Sequence, residues 1–239
     1  YYHWWLSEDE SVAYTRFRTY PKQEFLVIEK DVDGLVLTEP LRLLAVRQAV
    51  TTTAHVLPGS PFPEPELPST GWTSWYRYYT QIDQSIIQAN VRAFQQARIP
   101  LDYFQIDDGY QQAVGDWEPN AKFSAGMASL ATAIRAAGYE PGLWLAPFIC
   151  EEKSSLRREH PDWIARDATG NLVEAGFSPG WSGRFYALDL SQEAVRAFVR
   201  KTLQRISGEW GFGLIKLDFL YAAALAPPVG KTRAQAMRA

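Results

Sequence analysis

From Gly71 onward the chain alternates short apolar runs with longer stretches whose apolar side chains recur every three or four positions. The runs Gly71–Tyr76, Leu101–Asp107, Pro141–Pro147 and Gly213–Leu220 have the length and content of buried strands. Between them, Asp83–Arg98, Gly126–Ala137 and Ser191 to Trp210 carry helical spacing, the last through Val195, Phe198, Val199 and Leu203. Gly138 stops the second helix, and Ser191 followed by Glu193 opens the third. The stretch between the third strand and the third helix is irregular, with a hairpin expected around Asp167–Asn171. Strands separated by helical crossovers of this length pair in parallel, which predicts an α/β fold.

Before this regular part the pattern differs. Glu24–Lys30 and Gly34–Thr38 flank Asp31–Asp33 in the manner of a hairpin, and Arg42–Val56 mixes strand and helix signals. Pro58, Pro61, Pro63, Pro65 and Pro68 crowd together with Gly59 and Gly71, a density that removes backbone donors and favours an extended linker. Residues 1–66 therefore read as the end of a mostly β domain with its linker, and residues 67–239 as a second domain.

Four strand and helix units fit either an open doubly wound sheet or the first half of an eight-unit barrel. An open nucleotide-binding sheet places a glycine-rich phosphate loop after its first strand, where this chain has Trp75, Tyr76, Arg77 and Tyr78. The barrel is the better expectation. A complete one takes about 250 residues, more than follow the linker here, so the chain is expected to be a piece of a larger enzyme.

Composition removes several function classes. With 24 basic and 27 acidic side chains the net charge is −3, which leaves no basic stripe for a phosphate backbone, so no nucleic-acid partner is expected. The longest apolar stretches, Tyr139–Cys150 and Phe219–Val229, are interrupted by proline and fall short of the ~18 residues of a membrane helix, so no membrane partner is expected. Cys150 is the single cysteine, excluding an intrachain disulfide, and no secretory leader opens this numbering, so a cytoplasmic location is favoured. Cys150 with His160 lacks any residue to orient the histidine, and His3 and His55 lack metal-ligand spacing, so metal ligands are not expected. The run from Glu151, Glu152 and Lys153 to Arg157, Arg158 and Glu159 reads as a solvated face. Aromatic residues make up 14% of the chain, more ring surface than a core of this size requires.

In a barrel, side chains of one parity point inward and those at the carboxyl ends of the strands build the active site. On the fourth strand, Leu214, Lys216 and Asp218 share a face, which puts a lysine and an aspartate about 6.5 Å apart inside an apolar strand. There Lys216 is expected to keep Asp218 ionised. Tyr103, Gln105 and Asp107 share a face of the second strand, with Asp108 and Gly109 beginning the turn, and Gly142, Trp144 and Ala146 share a face of the third. Taken alone, Asp107-Asp108-Gly109 is an ordinary turn, Lys216 with Asp218 a structural ion pair and Trp144 a core ring. Together, a flat indole beside clustered carboxylates fits a sugar, which has an apolar face and a rim of hydroxyls.

Seven segments in this order and spacing resemble the α-galactosidases of glycoside hydrolase family 36. They are Gly71-Trp72-Thr73-Ser74-Trp75-Tyr76, Phe104 to Tyr110, Gly115-Asp116-Trp117, Pro141 to Phe148, His160-Pro161-Asp162-Trp163, Tyr186-Ala187-Leu188-Asp189 and Lys216 to Leu220. The resemblance implies a β-sandwich before a (β/α)8 barrel, a retaining α-galactosidase, and no cofactor. It makes Asp218 the nucleophile, Lys216 a ligand of sugar hydroxyls, Asp107 and Asp108 the carboxylates on the O4 and O6 side, Trp144 the indole wall and Trp75 a ring at the pocket mouth. It puts the acid/base aspartate on a later strand, beyond residue 239, so that these residues alone are expected to be inactive, and it allows a homo-oligomer of the full-length enzyme. A raffinose-synthase-like transglycosylase and a non-catalytic carbohydrate-binding protein are the alternatives. A metal-dependent barrel enzyme would need carboxylates on successive strands, and the third strand ends in Ala146-Pro147-Phe148.

Overall fold

The computed structural model describes residues 70–227 in full and, ahead of them, the backbone of four strands. These are β1 (Tyr2–Leu6), β2 (Thr15–Tyr20), β3 (Phe25–Lys30) and β4 (Arg42–Val46). β2 and β3 form an antiparallel pair with Tyr20 opposite Phe25, and β1 pairs antiparallel with β4. Phe25–Lys30 is thus a strand as expected, with Thr15–Tyr20 as its described partner. Gly34–Thr38 and the proline-rich linker lie outside the described residues. The ambiguity at Arg42 resolves to strand over Arg42–Val46.

Ser69–Ala226 forms a compact unit of its own. Its frame is a four-stranded parallel sheet made of β5 (Gly71–Thr73), β6 (Tyr103–Ile106), β9 (Glu140–Leu145) and β13 (Leu214–Leu217), neighbouring one another in that sequence order. The crossovers are α1 (Gln84–Gln96), α2 (Met127–Ala136) and α3 (Glu193–Gln204), the last continued by a π turn over Arg205–Glu209. Asp83 caps α1 by accepting the amide of Ile86 at 2.7 Å. This is the strand, helix, strand order of a parallel barrel, with β5 and β13 at the edges of the described sheet.

Parity organises the packing. Phe104 and Ile106 of β6, Leu143 and Leu145 of β9, Ile87 and Val91 of α1, and Leu130 and Ile134 of α2 are all buried, forming the layer between strands and helices. Burying each such side chain stabilises the unit by about 1.5–3 kcal/mol. The opposite parity, Gln105, Asp107, Trp144, Lys216 and Asp218, faces the interior of the incipient barrel. Register places Gln105 beside Gly142 and Gly142 beside Leu214, then Trp144 beside Lys216 one layer up. A Cβ on Gly142 would stand 3.0 Å from Leu214 Cδ2 and 3.1 Å from Gln105 Cβ, so the absence of a side chain there lets the two neighbours fill the layer.

The irregular stretches are ordered by antiparallel additions. β7 (Gln111–Ala113) and β8 (Asp116–Pro119) form a hairpin after β6, and β10 (Ile149–Glu151), β12 (Gly183–Ala187) and β11 (Glu174–Ser178) form a three-stranded sheet in that spatial order. The hairpin expected near Asp167 is present. Arg166 bridges Leu172, and Asp167 Oδ1 accepts the amides of Thr169 and Asn171, both at 2.9 Å. The first strand is shorter than expected, ending at Thr73. Beyond it the Thr73 and Ser74 hydroxyls engage the amides of Trp75 and Asp107, and Trp75–Tyr78 turns helical. Among the described residues no helix is long and apolar enough to cross a membrane.

Candidate active site

At the carboxyl ends of β6, β9 and β13 lies a cavity of about 180 Å³, lined among others by Trp75, Asp107, Asp108, Trp181, Lys216 and Asp218. Asp107 is buried at 2% exposure and densely held. Its Oδ2 accepts from Lys216 Nζ at 2.8 Å, Gln105 Nε2 at 3.0 Å and Thr73 Oγ1 at 3.4 Å, and its Oδ1 accepts the amide of Asp108 at 2.9 Å. The main chain at Asp107 is fixed too, its amide donating to Ser74 Oγ at 2.8 Å.

The expected pairing of Lys216 with Asp218 is not what the structure forms. Residues two apart on a strand share a face, yet the Lys216 ammonium leans sideways across the sheet to Asp107. Asp218 is held otherwise. Its Oδ2 accepts the indole N–H of Trp144 at 3.1 Å, its Oδ1 accepts the amide of Phe219 at 2.8 Å, and its own amide continues the ladder to Leu145 O at 2.9 Å. Phe219 itself sits in the left-handed region, at φ 53° and ψ 29°. For a non-glycine residue that conformation costs about 1–2 kcal/mol and is kept where surrounding structure enforces it.

Trp144 also lines the cavity. At 2% exposure it is one of the largest fully buried side chains, packed edge-on against Trp117 at 5.8 Å. Its indole N–H orients Asp218. Trp75 lines the cavity from the helical turn after β5, not from the strand itself.

Asp108 is buried, with Oδ1 accepting from Gln111 Nε2 at 2.6 Å and Oδ2 from Trp181 Nε1 at 2.7 Å. Burial pushes its carboxyl above the usual range, Asp107 and Glu151 add to the rise, and the two hydrogen bonds oppose it. Three parts of this arrangement were not found by sequence reasoning. Trp181 comes from the loop between β11 and β12, where no periodicity exists, and the only signal is an indole set between Gly180 and Gly183. Glu151, expected on a solvated face, is 7% exposed and accepts the amides of Val114 at 2.8 Å and Ser182 at 2.6 Å, tying that loop to the β7–β8 turn. The Phe219 conformation has no sequence signal at all.

The remaining carboxylates near the strand ends are committed to backbone. Asp116 accepts the amides of Ser155 and Leu156 at 2.6 and 2.8 Å, and Asp189 accepts the amide and hydroxyl of Ser191 at 3.0 and 2.6 Å. Burial drives the Cys150 thiol up to about 12, which leaves it protonated and unreactive at neutral pH. Among the described residues no cluster of three His, Cys, Asp or Glu side chains is placed to hold a metal ion.

Comparison with known proteins adds four findings. The melibiase family model matches residues 72–230. The α-galactosidase of Escherichia coli is 28% identical over 185 residues, a match covering 73% of this chain and 25% of that protein. The α-galactosidase of Thermus thermophilus, solved in complex with stachyose, superposes with a TM-score of 0.65 at 42% identity, covering 72% of this chain and 37% of that one. The α-galactosidase of Geobacillus stearothermophilus, at 22% identity and a TM-score of 0.54, shares the fold. The chain thus spans between 21% and 37% of the length of these relatives.

Proposed function

We infer an activity from the premise that this chain belongs to the melibiase family. The protein acts on terminal α-galactosides of oligosaccharides by a retaining mechanism, with Asp218 as nucleophile. One observation carries the reading, the placement of Asp218 at the end of β13 with two hydrogen bonds fixing its orientation and lone pairs left over to face the cavity. The relatives support the substrate class, since the named proteins are α-galactosidases and one was solved with stachyose.

In this reading an Asp218 oxygen forms a bond to the anomeric carbon as the bond from that carbon to the leaving oxygen breaks. Water then attacks the same carbon from the face the leaving group vacated, which releases Asp218 and retains configuration. Lys216 has donated one of its three protons to Asp107, so two remain for sugar hydroxyls. Asp107 takes part through its weakest bond, that from Thr73 at 3.4 Å, which a sugar hydroxyl can displace. The second carboxyl, which protonates the leaving oxygen, is supplied from outside residues 70–227. Supporting this, Asp107, Asp116 and Asp189 already carry several short bonds each within the protein.

The test is Asp218→Gly in the natural full-length protein. Hydrolysis of a nitrophenyl α-galactoside is expected to disappear, and added azide is expected to enter from the face Asp218 occupied and yield the β-galactosyl azide. Full turnover by the variant, or no azide product, would sink the assignment.

A further inference from the structure

We propose that Trp181 is a sugar-binding residue of this cavity, which walls the pyranose with its indole ring and aims Asp108 at a sugar hydroxyl with its indole N–H. The proposal rests on the galactoside reading above and extends it to a residue of the β11–β12 loop.

The first observation is where ring surface is available. Trp144, the indole expected to wall the sugar, lines the cavity but is only 2% exposed. Trp181 lines the same cavity and is only partly buried, standing 6.3 Å from the Trp144 ring centre. Sugars present an apolar C–H face, and a partly exposed indole next to carboxylates is the surface that accepts one.

The second is what the N–H does. Asp108 accepts one hydrogen bond at each oxygen, from Gln111 at 2.6 Å and Trp181 at 2.7 Å. A carboxylate has about four lone-pair sites, so two remain, and the two donors decide where they point. Asp107 in contrast has four donors and little freedom to offer. Asp108 is therefore, beside Asp218, a carboxylate with open acceptor capacity, and Trp181 holds its Oδ2.

The third is that Trp181 is itself anchored. Its ring packs against Phe185 at 5.1 Å and Phe219 at 5.3 Å, and the next residue's amide is bound by the buried Glu151. Phe219 is the residue whose left-handed backbone donates to Asp218. One indole thus touches the supports of both carboxylates, so their spacing across the cavity depends on it. The charged and titratable groups facing Asp108 are Asp107, Glu151 and Tyr110, none of which donates to it.

Two variants of the natural full-length protein separate the two roles, read by calorimetric titration with galactose and by the KM and kcat of a nitrophenyl α-galactoside. Trp181→Phe keeps a ring and removes the N–H. It is expected to weaken galactose about tenfold, to raise KM more than it lowers kcat, and to move the acid limb of binding to higher pH as Asp108 loses a bond that favours its charged form. Trp181→Ala removes both and is expected to weaken galactose about a hundredfold. Circular dichroism and the unfolding midpoint check that each variant is folded. If Trp181→Phe binds as tightly as wild type with an unmoved acid limb, the orienting role is wrong. If folded Trp181→Ala also binds normally, the whole proposal is wrong. A wild-type protein that binds no galactose overturns the galactoside reading as well, which the variant results alone do not.

Discussion

The two strand ends that carry the acidic residues are built on opposite plans. At the end of β6, Asp107 takes four donors, Thr73, Gln105 and Lys216 at Oδ2 and the Asp108 amide at Oδ1. At the end of β13, Asp218 takes only the Trp144 indole and the Phe219 amide. A carboxylate held by four donors is a rigid frame and a poor attacking group. A carboxylate fixed by two bonds keeps its direction and retains lone pairs that can form a bond to carbon. Within the proposed reading, the difference suits Asp107 to hold and Asp218 to react.

The sharpest way to break that division is to neutralise each end separately in the natural full-length protein. Asp218→Asn keeps shape and the Trp144 contact but removes the attacking charge, so kcat is expected to fall by roughly 10⁴-fold or more while galactose affinity changes by less than tenfold. Asp107→Asn is expected to act first on affinity, because Lys216 loses its counter-charge and turns away from the sugar. Reversed results, with affinity lost in the first variant and kcat alone in the second, would overturn the division.

A smaller effect tests whether Asp107 is a frame. Among the described residues, Lys216→Met removes the only cation bonded to Asp107, a carboxylate that is 2% exposed. Breaking such a pair costs 3–5 kcal/mol when both partners are buried, but Lys216 is 42% exposed, so about 2 kcal/mol of unfolding free energy is expected. Adding Asp107→Asn should restore most of it in urea titrations. A double variant no more stable than the single would mean that the charge pair is not what holds this end. Gly142 lies between the two ends, and Gly142→Ala is expected to cost about 1–2 kcal/mol by crowding Leu214 and Gln105. An unchanged midpoint would mean that the layer has slack.

Sequence parity selected Asp107, Trp144, Lys216 and Asp218 because period-2 alternation survives inside an apolar strand, where any polar residue stands out. It did not tell which neighbour each would choose. Lys216 pairs across the sheet, and that depends on β13 and β6 flanking β9 in register, which alternation along one strand does not encode. The same limit applies to Trp144, whose packing against Trp117 and Trp181 is set by segments far away in the chain. Trp181 and Glu151 belong to the irregular stretch between the third strand and the third helix, where tertiary hydrogen bonds rather than local pattern set the structure. Ser74 shortened the first strand for a similar reason, its hydroxyl being taken by the Asp107 amide.

The smallest effect expected is in sign, and it contrasts two aspartates that burial pushes in the same direction, Asp108 being the more deeply buried. Burial raises both Asp108 and Asp189, but at Asp189 the bonds from Ser191 and Gln192, with Arg196 nearby, outweigh it and bring the carboxyl below its ordinary value. At Asp108 the bonds from Gln111 and Trp181 do not outweigh burial, and the carboxyl stays raised. A carboxyl lowered on folding adds stability that is present above its unfolded value of about 3.9 and is lost as pH falls through the folded one. A raised carboxyl does the reverse, since the folded state holds the proton more tightly and loses stability as pH climbs from about 3.9 through the folded value. Urea titrations from pH 3 to pH 7 should therefore show the Asp189→Asn deficit growing with pH to about 1 kcal/mol, in line with the lost hydrogen bonds. The difference between wild type and Asp108→Asn should slope the other way. Parallel slopes would mean that the hydrogen bonds at the β6 end already overcome burial, and that Asp108 is as fixed an acceptor as Asp107.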